Sequence, residues 1–145
     1  PAADAVGAWA SLWGAWLLRR KKPAAEGFLS AAVQWAPTAA PGLNNLAVQR
    51  NGIGEFDEAL RLCERALAAQ PDYRRAHRTA ARAALRAGRT TPALRHARAW
   101  VGTPPTPRNR AWLRGLVREA DARQHAQLAG ALRAMLGSNP GSATP

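Results

Sequence analysis

The feature that most constrains this chain is a pattern of helix breakers that recurs every 34 residues. Gly54 precedes an amphipathic segment that ends at Pro71, and the same arrangement begins again at Gly88 and ends at Pro105. Glycine commonly ends one helix, and proline prevents the next helix from continuing it. A fixed period of this length is typical of helical repeat arrays, in which stacked helix pairs share a continuous core.

The period divides most of the chain into three units, residues 6–39, 40–73 and 74–107. In the second helix of each unit the matched positions are Ala25, Leu29, Ala32 and Pro37, then Ala59, Cys63, Ala66 and Pro71, then Ala93, Ala97, Trp100 and Pro105. In the first helix they are Trp9, Leu12, Trp13 and Trp16, then Leu43, Leu46, Ala47 and Arg50, then His77, Ala80, Ala81 and Ala84. The period is lost beyond Pro107, and we predict capping helices in 108–136 and a flexible tail in 137–145.

These matched positions resemble the tetratricopeptide repeat family, whose pattern is a large residue, Leu, a small residue, a helix-breaking Gly, then Ala and Pro. The middle unit, LNNLAVQRNGIGEFDEALRLCERALAAQP, carries most of that pattern. The resemblance implies an all-α fold, a right-handed helix-turn-helix solenoid over residues 1–107. It also implies a non-catalytic adaptor, or a subunit of a larger complex, that binds other proteins. The sequence departs from the pattern at Arg20, which replaces the turn glycine, and at Arg50, where an aromatic residue is usual.

The charge of the chain is strongly one-sided. Its formal net charge is +12, almost all of it from arginine. Unit two carries three arginines against five acids, whereas residues 74–98 contain eight arginines and no acid. Such a balance indicates an acidic partner, which is a nucleic acid, an anionic membrane surface or an acidic protein.

The arginines of unit three form a stripe along one predicted helix. At about 100° per residue, Arg75, Arg78, Arg82 and Arg86 lie within about 80° of one another, opposite the alanine positions. The resemblance implies that this face lines the concave groove in which ligands of the family lie. We therefore predict a groove in which these arginines bind an acidic protein segment, Asn44 and Asn45 bind its backbone, and Trp112 supplies an aromatic contact.

Three alternatives to that prediction remain open at this point. The stripe is a merely solvated face, or it tracks RNA phosphates, although no exposed aromatic residue is interleaved with it as base stacking requires. A narrower version is the carboxylate clamp of tetratricopeptide co-chaperones, which hold the C-terminus of a chaperone. Asn45 and Arg75 match two clamp positions, whereas Ala10, Gly14 and Thr79 stand where polar or basic residues are required.

The first helix of unit one has two interpretations. Residues 5–18 carry no charge and are followed by Arg19, Arg20, Lys21 and Lys22. In one interpretation Trp9, Trp13 and Trp16 form an apolar contact surface for another subunit or a membrane, although the uncharged run is shorter than the ~20 residues that span a bilayer. In the other, Trp9, Leu12, Trp13 and Trp16 are the packing stripe, and Gly7, Ala10 and Gly14 face the groove.

The remaining chemistry is sparse. Cys63, the single cysteine, falls at a small apolar position, which favours a buried residue in a reducing compartment such as the cytoplasm or an organelle matrix, with attachment to a membrane complex left open. His77, His96 and His125 have no acidic or thiol companion at ligand spacing, and no phosphate loop or nucleophile motif is present. We expect no enzyme activity, no cofactor, no metal site and no small-molecule substrate.

Overall fold

The computed structural model describes residues 2–102 and 105–137, which form eight α-helices and contain no strand. The helices are α1 (Ala2–Arg19), α2 (Ala25–Trp35), α3 (Ala40–Gly52), α4 (Phe56–Ala69), α5 (Arg74–Arg86), α6 (Thr90–Val101), α7 (Pro107–Ala122) and α8 (Ala126–Gly137). Consecutive helices pack as the pairs α1–α2, α3–α4, α5–α6 and α7–α8, and each pair packs on the next. The all-α helical repeat predicted from the sequence is confirmed.

The turns inside the four helix pairs share one backbone motif. In each, an N–H beyond the first helix donates to the carbonyl five residues earlier: Lys22 to Leu17 at 3.0 Å, Glu55 to Arg50 at 2.9 Å, Arg89 to Ala84 at 2.8 Å and His125 to Ala120 at 2.9 Å. The residue before each donor has a left-handed backbone, with φ of 53° at Lys21, 93° at Gly54, 74° at Gly88 and 60° at Gln124. This is the Schellman ending that glycine adopts most easily. The first pair therefore makes its turn at Lys21, and α7–α8 has the same turn although its sequence has lost the period.

The core runs along the stack between successive pairs. Its members are apolar side chains that are 0 % exposed, including Leu29, Ala47, Ala59, Cys63, Ala81, Leu85, Ala97, Leu113 and Leu132. Burial, with a smaller contribution from Glu64, raises the pKa of the Cys63 thiol to about 12. The prediction that Cys63 is a buried core residue is confirmed.

Helix α1 packs through its small residues, so the prediction of a tryptophan packing stripe is wrong. Its buried residues are Gly7, Ala10, Ser11, Gly14 and Leu17. A Cβ atom added to Gly7 would lie 2.6 Å from Cβ of Ala36, and one added to Gly14 would lie 2.8 Å from Cγ of Leu29. Because the backbones of α1 and α2 approach so closely, only small side chains fit between them, and the large residues are left outside. Gly7 and Gly14 therefore pack against α2, Ala10 is buried beside them, and none of the three lines the groove.

The C-terminal pair α7–α8 has a helix cap and an ion pair between its two helices. Thr106 caps α7, because its hydroxyl accepts a hydrogen bond from the Asn109 N–H at 3.2 Å. Asp121 lies inside α7 and pairs with Arg133 of α8 at 2.6 Å. The predicted tail beyond residue 137 lies outside the described residues.

Candidate functional site: a basic groove

A groove of about 740 Å³ runs between α3, α5 and the start of α7. Its walls are Asn44, Val48, Asn51 and Gly52 of α3, Arg75, Arg78, Thr79, Arg82 and Arg86 of α5, Trp100 of α6, and Arg108 and Asn109 of α7. These lining residues include five arginines and no acid. All four arginines of the predicted stripe line this one groove. Ala80, Ala81 and Ala84, on other faces of α5, are fully buried, so packing of those faces in the core leaves the arginine face toward the groove.

Glu119 neutralises the end of the groove nearest the C-terminus of α5. Its carboxylate lies 2.5 Å from Nε of Arg86 and 3.4 Å from Nε of Arg82, and Arg86 also donates to Oδ1 of Asn51 at 3.2 Å. Burial lowers the pKa of Arg82; the Glu119 carboxylate opposes that shift, and Arg86 and Arg78 add to it. These two arginines therefore already have a carboxylate partner from their own chain.

The other end of the groove has unneutralised positive charge. Within the part of the chain that the structure describes, Arg75, Arg78 and Arg108 have no ion pair with any carboxylate. Arg78 lies over the ring of Trp100 at 5.8 Å, and Arg74 lies over the same ring at 5.6 Å. A cation over an indole face keeps its charge while it is held in place. This end therefore offers fixed guanidinium groups to an incoming anion.

The two neighbouring asparagines of α3 have different roles. Asn44 lines the groove and is 5 % exposed, and its Oδ1 is buried with no hydrogen-bond partner among the described residues. An orphaned buried amide oxygen costs about 1–3 kcal/mol unless something bonds to it. Asn45 instead donates to the Ser11 hydroxyl at 2.9 Å. Asn45 therefore ties α3 to α1 and is not among the groove-lining residues, which corrects its predicted role.

The aromatic residue at the groove is Trp100, and the predicted Trp112 packs behind it. The rings of Trp100 and Trp112 meet edge to face, with centroids 6.2 Å apart. Trp112 is partly buried against the core, and its buried indole nitrogen has no hydrogen-bond partner among the described residues. The sequence matched Trp100 to a packing position of α6 and thus did not indicate that its ring also reaches the groove.

The structure also brings together two histidines that lie far apart in sequence. Nδ1 of His77 lies 2.9 Å from Nδ1 of His96, which is 3 % exposed. Because Nη2 of Arg95 lies 3.3 Å from Nε2 of His96, that nitrogen is the acceptor, and the His96 proton is on Nδ1. Burial, Arg95 and His77 lower the pKa of His96 to about 4, so the pair is neutral near pH 7. Among the described residues no group of three or more His, Cys, Asp or Glu could hold a metal ion.

Most carboxylates of the chain are already used in ion pairs. Seven of the nine acidic side chains pair with arginine, namely Glu26, Glu55, Asp57, Glu58, Glu64, Glu119 and Asp121. Among the described residues, only Asp4 and Asp72 form none of these pairs. Few unpaired carboxylates of the same chain are therefore left to form ion pairs with the unneutralised arginines of the groove.

A second exposed feature is the outer face of α1, which we call the tryptophan ladder: Trp9, Leu12, Trp13 and Trp16. These side chains are 59 %, 72 %, 42 % and 37 % exposed. The ring of Trp13 stacks on Trp9 at 6.2 Å and on Trp16 at 4.9 Å. In residues 2–102 and 105–137, no helix has both the length and the apolar character needed to cross a bilayer.

The fold and groove define a class of protein, the all-α helical repeat. Its groove of about 740 Å³ lies between α3, α5 and α7, which are the first helices of their pairs. Residues 54–109, which include α4, α5 and α6, match the family model for the tetratricopeptide repeat. This match is to the middle part of the chain, and it is this segment that is similar to the tetratricopeptide repeat family. Members of this family generally mediate protein–protein interaction or scaffolding and are typically non-catalytic. A comparison with the curated proteins found no match.

Proposed function

We propose that this chain is a non-catalytic interaction module whose basic groove binds an extended acidic segment of a partner protein. The observation that supports this most is the pair Arg75 and Arg78, which line the groove without a carboxylate partner in the described chain. Charge-assisted hydrogen bonds from guanidinium to carboxylate are short, often bidentate and about twice as strong as neutral ones. An aspartate- or glutamate-rich segment is the protein ligand that matches this end of the groove.

Asn44 supports an extended backbone in the same place. Its amide is 5 % exposed at the groove wall, and its Oδ1 has no partner within the described residues. An extended peptide presents N–H and C=O groups that are not used by its own secondary structure. Hydrogen bonds to Asn44 would hold such a backbone while the arginines bind its acidic side chains. The groove would then recognise both the negative charge and the extended backbone of its ligand.

Geometry does not favour the narrower carboxylate clamp. Of the two residues that match clamp positions, only Arg75 lines the groove, because Asn45 is bonded to Ser11. Ala10 is buried, and Gly14 packs against Leu29 of α2. A clamp needs its polar groups on one open surface, and these positions do not share one.

RNA is the second candidate, because Trp100 places an aromatic ring beside the arginine stripe. Arginine and aromatic side chains along one groove are the elements with which proteins bind single-stranded nucleic acid. The ring is already covered by Arg74 and Arg78 and meets Trp112 at its edge. A base would have to displace these guanidinium groups in order to stack. We therefore favour an acidic protein segment over RNA.

A binding assay with matched probes tests this order. We would measure fluorescence anisotropy with a labelled Asp/Glu-rich peptide, with the same peptide carrying Asn and Gln in their place, and with a single-stranded RNA. We expect the acidic peptide to bind with clear preference over its neutral counterpart and over the RNA. Since a hydrogen bond to a charged group contributes about 1.5–3 kcal/mol, Arg75→Glu with Arg78→Glu should weaken that binding at least tenfold.

The control variant carries the same change of charge elsewhere. Arg114 and Arg118 are exposed arginines of α7 that do not line the groove. Reversing both should change peptide affinity by less than about threefold, because exposed charges beyond a Debye length of about 8 Å are screened at physiological salt. Equal losses from the two double variants would show that only net charge matters. Tighter binding of RNA, falling steeply with salt, would establish the second candidate instead.

A further inference from the structure

We propose that the tryptophan ladder of α1 binds the surface of an anionic lipid bilayer, lying in the headgroup region. The large apolar side chains of the ladder lie outside the core, since α1 contacts α2 and α3 through its small residues. Val6, which is 44 % exposed, lies in the same helix. Contiguous apolar surface of this kind marks a site that another surface covers.

The chemistry of the ladder matches the boundary between lipid tails and water. Indole has a large apolar body and a polar N–H, and tryptophan is enriched at that boundary for this reason. The rings of Trp9 and Trp13 are almost parallel, at 5° to each other, and Phe28 of α2 meets both edge to face at 5.9 and 6.5 Å. The aromatic surface is thus assembled in the folded chain, and little further ordering is needed when it binds.

A cluster of cations adjoins the ladder at the end of α1. Arg19, Arg20, Lys21 and Lys22 are all exposed, and no ion pair joins any of them to a carboxylate of the described chain. Arg20 lies 4.5 Å from the centre of the Trp16 ring, so the charge begins where the ladder ends. Apolar and aromatic residues beside lysine and arginine are the combination that holds helices at anionic membrane surfaces. The charge complementarity indicates a negatively charged surface.

A second copy of this chain fits the ladder less well. It could stack its own indoles there, but it would bring few free acids to the cations of residues 19–22. Seven of the nine carboxylates are already paired within the chain, and those outside these pairs are Asp4 and Asp72. A bilayer containing anionic lipid satisfies the apolar face and the cations together.

Co-sedimentation with vesicles tests the proposal. We expect the chain to sediment with vesicles of equimolar phosphatidylcholine and phosphatidylglycerol, and far less with phosphatidylcholine alone. Leu12→Glu places a carboxylate on the most exposed rung and should lower binding at least tenfold without unfolding the chain. Lys21→Glu with Lys22→Glu should do the same, since each basic residue near an anionic surface contributes about fivefold to the partition coefficient.

Controls of the same kind are available elsewhere in the chain. Ile53, which is 55 % exposed in the α3–α4 turn, provides Ile53→Glu as an apolar control. Reversal of Arg114 and Arg118 is the matching charge control. Both should keep at least half of the vesicle binding, and circular dichroism should show the same helix content in every variant. The proposal is overturned if the unaltered chain stays in solution, or if Leu12→Glu binds as well as the unaltered chain. It is also overturned if the ladder forms a dimer that Leu12→Glu dissociates and vesicles do not bind.

Discussion

His96 should make the stability of the folded chain depend on pH between about 6.5 and about 4. Its imidazole is 3 % exposed and lies against His77 and Arg95. Burial, followed by the charges of Arg95 and His77, lowers its pKa from 6.5 to about 4. The His96 imidazole of the unfolded chain is protonated as the pH falls through about 6.5, whereas that of the folded chain stays neutral until the pH is near 4. The free energy of unfolding is therefore highest above a pH of about 6.5 and falls as the pH falls toward about 4.

The expected loss can be calculated from these two values. At pH ~5 the unfolded imidazole is protonated and the folded one is not, a gap of about 1.5 pH units that corresponds to about 2 kcal/mol. Burial, Arg95 and Arg74 also lower the pKa of His77, which acts in the same direction. With a urea m-value of about 2 kcal/mol/M, the midpoint of unfolding should fall by about 1 M between pH ~7.5 and pH ~5.

Urea titrations followed by far-ultraviolet circular dichroism measure that midpoint. His96→Gln cannot be protonated and should remove most of the pH dependence, whereas His125→Gln, at the α7–α8 turn, should keep it. Equal midpoints at the two pH values for the unaltered chain would refute the reasoning. So would an undiminished fall in the His96→Gln variant, because the titrating group would then lie elsewhere.

Three further predictions follow from single contacts. Glu119→Gln should lower the free energy of unfolding by about 1–3 kcal/mol and raise the affinity for an acidic peptide about three- to tenfold. Glu58→Gln, which removes an exposed ion pair, should change neither quantity. Calorimetry measures the stability and anisotropy the affinity, and an unchanged affinity of the Glu119→Gln variant would contradict the role of Glu119. The thiol of Cys63, with its pKa raised to about 12, should react with thiol reagents near pH 7 only when the chain unfolds, and rapid labelling of the native chain would disprove that burial. Gly7→Ala should cost about 1–3 kcal/mol in thermal unfolding because its Cβ meets α2, and Gly27→Ala, in open space, should stabilise by about 0.5–1 kcal/mol; similar effects at both sites would exclude the close approach.

The regular part of the fold follows from the sequence because it is local. Helix breakers and apolar spacing within 34 residues predict the pairs, and 100° per residue places Arg75, Arg78, Arg82 and Arg86 on one face of α5. What the pattern could not show are contacts with residues outside the period. Glu119 is the clearest case, since it reaches two of those arginines from α7, where no repeat fixes the register.

The buried face of α1 could not be predicted from hydrophobic spacing. Both faces of this helix are apolar, one large and one small, so hydrophobic spacing alone does not decide which is buried. The deciding fact is the close approach of α1 to α2, which needs Gly7 and Gly14 at the contact. The sequence signal for this packing was the row of small residues Gly7, Ala10 and Gly14, which lie three, four and seven residues apart on one face of α1. The large residues, which the repeat register assigned to the core, are consequently exposed.

The groove itself can be tested by nuclear magnetic resonance of the ¹⁵N-labelled chain, titrated with an Asp/Glu-rich peptide and with its Asn/Gln counterpart. We predict that the acidic peptide shifts the amide signals of Arg75 and Arg78 and the side-chain amide signals of Asn44, with smaller changes near Glu119. The neutral peptide should leave all of these signals in place. Changes confined to the opposite side of the stack, around Arg61 and Arg95 of α4 and α6, would contradict the groove as the binding site.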